Sequence, residues 1–100
     1  MHLSYEDSGT TQRVGTGDHV TVALPERPTT GYRWRAEFDP LVLRQIDDQY
    51  EGGTRPVGAA GTRTFTFEVL RPAATSMRFV EGRAWESSAT DEMTIHLSPA

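Results

Sequence analysis

Apolar and polar residues alternate with period two along much of the chain, and no long window keeps a helical period, so strands are the expected element. Val20, Val22 and Leu24 alternate with Thr21 and Ala23. Tyr32, Trp34, Ala36 and Phe38 alternate with Arg33, Arg35 and Glu37, which puts aromatics on one face and charges on the other, the pattern of a half-buried strand. Phe65, Phe67 and Val69 interleave with Thr66 and Glu68; Met93, Ile95 and Leu97 interleave with Thr94 and His96. Met77 and Phe79 predict a further strand before Gly82, Leu41 to Tyr50 a less regular one, and Leu3 to Glu6 a short one at the start. About seven strands result, the complement of a small sandwich.

Turn-forming segments separate these runs: Gly15-Thr16-Gly17-Asp18, residues 25–31, Asp39-Pro40, and residues 51–61, 71–75 and 82–90. Strands at this spacing predict an all-β fold, an antiparallel β-sandwich, with an open meander or a barrel as the alternatives. If successive strands run up and down, every second connection falls at the same end. Segments 25–31, 51–61 and 82–90 should then cluster, with 13–18, 39–40 and 71–75 at the opposite end. The first set is longer and odder in composition, and on a rigid β scaffold such loops carry binding.

A length of 100 residues fits one domain spanning 1–100. The ten basic residues are all arginine, are scattered singly, and face fourteen acids, so nucleic acid is not an expected partner. The absence of cysteine removes disulfides, thiolate nucleophiles and cysteine-bound zinc, leaving burial to stabilise the fold. No segment approaches the roughly 18 apolar residues of a membrane span, so no membrane partner is expected, and Met1 to Glu6 has no apolar signal core. The compartment is left open, and a monomer is expected.

Candidate chemistry is sparse. His2, His19 and His96 lie on separate predicted elements without metal-ligand spacing. Asp47-Asp48 and Asp91-Glu92 are neighbours on strands and so point to opposite faces, which suits solvated charges better than acid–base work. No Ser-His-Asp order sits in a nucleophile context. The chain is therefore expected not to be an enzyme, with no catalytic residue, no metal and no cofactor.

The three clustered connections hold more information. In the first, Arg27-Pro28-Thr29-Thr30-Gly31-Tyr32, Pro28 fixes its own φ and extends Arg27, while Gly31 permits a φ that Thr30 could not easily adopt. A short stiff segment with two small hydroxyl side chains results, although a plain strand connection uses the same residues. The second holds Gly52-Gly53 and Gly58-Ala59-Ala60-Gly61, whose small residues let backbone approach a partner; a flexible linker has the same composition. It lacks the lysine and helix start of a phosphate cradle. The third contains Arg83-Ala84-Trp85. These residue types dominate many interfaces, although a tryptophan can also fold back onto its own sandwich.

Together and in this order, the three segments resemble the chagasin-like inhibitors of papain-family cysteine proteases. That family's pattern is Asn-Pro-Thr-Thr-Gly-Tyr/Phe, then Gly-x-Gly-Gly, then Arg-Pro-Trp. Pro28, Thr29, Thr30, Gly31 and Tyr32 match the first motif, which departs at Arg27. Gly58 and Gly61 match the second, with Ala60 in place of a glycine; Arg83 and Trp85 match the third, with Ala84 in place of proline. The resemblance implies an immunoglobulin-like sandwich that binds a papain-family cysteine protease through Pro28, Thr29, Thr30, Gly31, Tyr32, Gly58, Ala59, Ala60, Gly61, Arg83 and Trp85. Thr29 would lie nearest the catalytic thiolate, with the Gly58 and Trp85 loops on either side of the cleft. An immunoglobulin-like adhesion or ligand-binding module is the alternative, since sandwiches host many functions.

Overall fold

Each alternating run becomes a strand whose apolar residues face a shared interior. The computed structural model describes residues 1–26, 31–52, 61–83 and 90–100. Among them are eight strands: β1 (His2–Ser4), β2 (Thr11–Val14), β3 (His19–Glu26), β4 (Tyr32–Glu37), β5 (Leu43–Glu51), β6 (Gly61–Val69), β7 (Thr75–Arg83) and β8 (Asp91–Pro99). They form two four-stranded sheets, ordered β1-β3-β6-β5 and β2-β8-β7-β4. Val20, Val22 and Leu24 from β3, Phe67 from β6, and Met77 and Phe79 from β7 are wholly buried between the sheets. Burying each such side chain contributes about 1.5–3 kcal/mol. Phe79 packs against both Phe65 and Phe67, with ring centroids 5.5 and 6.0 Å away, and so stitches the two layers together.

The sandwich differs from the expected one in three places. An eighth strand, β2, pairs in parallel with β8, and β1 pairs in parallel with β3, so both edge additions depart from a purely antiparallel plan. A 3-10 turn at Tyr5–Asp7, where the Ser4 N–H donates to Asp7 Oδ2 at 2.8 Å, stands in the stretch read as strand up to Glu6 and leads from one sheet to the other. Gly82 does not end its strand: β7 continues through it to Arg83, because β4 pairs with both residues. The irregularity of β5 comes from a register shift between Gln45 and Asp47 and from its edge position, which leaves most of its residues exposed.

Successive long strands do alternate in direction. The end that carries 15–18, 38–42 and 70–74 is closed by local backbone bonds: Gly17 N–H to Val69 O at 2.8 Å, and Leu70 N–H to Val42 O at 2.8 Å. At the other end leave the connections after β3, β5 and β7.

Candidate functional site

The register of the strands fixes where the three connections begin and end. Glu26, the last residue of β3, lies opposite Gly61, the first of β6, and Glu51, the last of β5, lies opposite Thr62. In the second sheet Tyr32 lies opposite Arg83, and Glu81 opposite Asp91. All six stems therefore emerge at one end of the sandwich, as the up-and-down reading requires.

Of the candidate site residues, Gly31, Tyr32, Gly61 and Arg83 are described, and each stands on a stem. Pro28, Thr29, Thr30, Gly58, Ala59, Ala60 and Trp85 lie outside the described residues, as do Arg27 and Ala84. Gly31 has φ +82°, a left-handed conformation that suits glycine and that β-branched residues avoid. Tyr32 and Arg83 meet across the β4–β7 pair, the guanidinium carbon 4.3 Å from the ring centroid, which joins the end of the first connection to the start of the third. A Cβ at Gly61 would fall inside contact distance of Tyr50 Oη and of the Glu51 carbonyl, so only glycine lets β6 begin beside the end of β5.

Beneath these stems the inward-facing stripes change character. Val20, Val22 and Leu24 are followed by Glu26; Val69, Phe67 and Phe65 by Arg63, reading back along β6; Met77 and Phe79 by Glu81 and Arg83; and Leu97, Ile95 and Met93 by Asp91. The apolar core thus gives way to an ionic layer directly under the connections. Glu26 has 1% of its surface exposed. Its carboxylate accepts Arg63 Nη2–H at 2.8 Å through Oε1 and the Trp34 backbone N–H at 2.8 Å through Oε2. The Arg63 Nε, 3.2 Å from each oxygen, shares its N–H between both. Arg63 also donates to Asp48 Oδ1 at 3.1 Å and sits over the Tyr50 ring, 5.4 Å from its centroid. The bond to Glu26, supported by that to Asp48, raises the pKa of Arg63 against the opposing cost of burial.

Trp34 spans the two sheets. Its indole N–H donates to the Pro25 carbonyl at 2.7 Å, at a point on β3 beyond the last residue that pairs with β1. The Tyr5 ring tilts against Trp34, with centroids 6.1 Å apart, and its hydroxyl donates to Asp91 Oδ1 at 2.8 Å. Glu81 lies opposite both Trp34 and Asp91; burial, then the charges of Asp91 and Glu26, push its carboxyl above the ordinary range.

Glu26 and Arg63 are not among the candidate residues, although a signal for them exists. Both keep the inward parity of their apolar runs, and a charge in such a position must find a partner. Elsewhere the polar groups do local work: His96 Nδ1 pairs with Ser76 Oγ at 2.8 Å, and the exposed Arg78 bridges Glu37 and Glu92 at 2.6 Å each. Among the described residues no group of three or more His, Asp or Glu side chains is placed to hold a metal ion. No helix among them is long and apolar enough to cross a membrane. Among the described residues, this end of the molecule offers a braced set of stems.

Comparison with known proteins bears on that arrangement. A family model described as chagasin family peptidase inhibitor I42 matches residues 13–98. No curated protein matches the chain. The solved structure of the cysteine protease inhibitor EhICP2 from Entamoeba histolytica is similar with a TM-score of 0.91 at 20% identity, over 99% of this chain and 94% of that one. Amebosin is similar with a TM-score of 0.68 at 20% identity, over 100% and 99% of the two chains. PbICP-C, solved in complex with falcipain-2, is similar with a TM-score of 0.64 at 14% identity, over 100% and 90%. At these identities the likeness to solved structures is one of fold.

Proposed function

The chain belongs to the chagasin family of peptidase inhibitors, and from that premise we propose that it reversibly occludes the active-site cleft of papain-family cysteine proteases with the loops at 27–32, 58–61 and 83–85. It acts as an inhibitor and not as an enzyme. The observation that carries this reading is the emergence of all six stems at one end, with Tyr32 held against Arg83 and Glu26 opposite Gly61. Support also comes from the similar proteins: EhICP2 is a cysteine protease inhibitor, and PbICP-C was solved with falcipain-2.

In this mechanism Thr29 and Thr30 lie over the catalytic cysteine and histidine. Neither side chain is an electrophile, and the block is steric and reversible, without a covalent step. The Gly58 loop makes backbone contacts on one side of the cleft, and Trp85 meets aromatic surface on the other. Stems braced in advance lose little conformational freedom on docking, which is how a contact of about 800 Å² per partner binds tightly.

Titration of the domain into papain with a fluorogenic peptide substrate tests the reading. Inhibition competitive with substrate, and loss of binding to an enzyme whose active site already holds an active-site-directed affinity ligand, are the expected results. No inhibition at micromolar concentration across several papain-family enzymes would refute it. An adhesion module would be indifferent to the active-site ligand.

A further inference from the structure

We propose that Glu26 and Arg63 are positioning residues for inhibition: their buried ion pair locks the stems of the first and second connections together, so that both loops meet a protease as one surface. The inference rests on the inhibitor reading and adds residues that need not touch the protease.

The bonds reach all four stems. Glu26 ends β3, and the N–H it accepts from Trp34 belongs to the start of β4, so the carboxylate spans the first connection. Arg63 stands at the start of β6 and holds Asp48 and the Tyr50 ring near the end of β5, so the guanidinium spans the second. The two halves meet in the Glu26–Arg63 pair, whose side chains are 0% and 16% exposed. A guanidinium fork on a carboxylate fixes direction as well as distance, unlike an apolar contact, which tolerates sliding.

Stability alone does not account for a charge pair at this place. Apolar residues of similar volume commonly stabilise a fold as well as, or better than, a buried ion pair, and the inward stripes of β3, β6, β7 and β8 are apolar until they reach the stems. The ionic layer lies where geometry must be held for docking. Gly61 agrees with this: by admitting Tyr50 and the Glu51 carbonyl, it brings the end of β5 against the start of β6.

The test is the inhibition constant against papain of the wild type, of Glu26→Gln/Arg63→Met, and of Arg63→Lys, each checked by thermal melting to be fully folded at the assay temperature. The double variant keeps an acceptor for the Trp34 N–H and leaves no charge stranded, so it is expected to melt near the wild type yet inhibit at least about tenfold more weakly. That factor follows if the loops hold their docking geometry a tenth of the time. Arg63→Lys keeps a charge opposite Glu26 but cannot also reach Asp48 through a fork, and is expected to fall between the two. A core variant, Val22→Ala, is expected to lower the melting temperature without changing the inhibition constant, which separates positioning from general stability. If the wild type inhibits and both Arg63 variants inhibit equally tightly, the inference is overturned while the inhibitor reading stands. If the double variant does not fold, the lysine variant decides alone. A wild type that inhibits no papain-family enzyme overturns both.

Discussion

Glu26 at the end of β3 and Arg63 near the start of β6 form a forked ion pair, Nη2 2.8 Å from Oε1 and Nε 3.2 Å from Oε2, with the glutamate side chain wholly buried. Removing only the guanidinium, by Arg63→Met, leaves the carboxylate buried beside a single backbone donor. The unfolding free energy is predicted to fall by about 3–5 kcal/mol, the usual cost of breaking a buried pair from one side. Adding Glu26→Gln should recover most of that loss. Urea denaturation followed by tryptophan fluorescence measures both steps, and additivity of the two substitutions would contradict the direct coupling.

Glu81 makes stability depend on pH in a defined direction. Burial, followed by the neighbouring charges of Asp91 and Glu26, raises its folded-state pKa, so the folded protein favours the neutral acid. Its contribution is therefore fully present below the unfolded-state pKa and is lost as pH rises through the folded value. Glu81→Gln should raise the melting temperature at pH 7, and the gain should vanish below about pH 4, where glutamate is neutral in both states. A constant difference across that range would show that the carboxyl's charge is not the cause.

Gly61→Ala should destabilise the fold by about 1–3 kcal/mol, as expected for overpacking, because the added methyl meets Tyr50 Oη and the Glu51 carbonyl. Chemical denaturation reads the loss. The double variant Gly61→Ala/Tyr50→Leu should recover only part of it, since the backbone carbonyl remains.

Trp85→Ala should weaken inhibition of papain by at least about 2 kcal/mol while leaving the melting temperature unchanged, the behaviour of an interface anchor. A large fall in melting temperature instead would assign Trp85 to the core of its own domain.

The apolar stripes were legible in the sequence because β3, β4, β6 and β8 each bury one face, and period two then marks the buried positions directly; β7 keeps that period at Met77 and Phe79, although Val80 on its other face is buried too. Their up-and-down order was enough to place the stems at one end. β2 was not legible, because only Val14 among its four residues is buried and its partner β8 lies at the far end of the chain. The ionic layer was hidden for a related reason. Glu26 reads as the end of an apolar run, and the arginine that makes it an interior residue lies 37 positions away. At the candidate site, turn chemistry foretold the backbone freedom at Gly31, which has φ +82°. The stacking of Arg83 on Tyr32 depends on cross-strand register, which neither strand carries alone.

Three loops that cover the catalytic thiol of a papain-family protease without reacting with it should shield that thiol from other reagents. The most direct measurement is the rate at which iodoacetamide alkylates that thiol in papain, with and without a saturating amount of the domain. The thiol is expected to be protected in the complex and to regain full reactivity on dilution. A complex that forms while the thiol alkylates at its free rate would contradict occlusion by the loops.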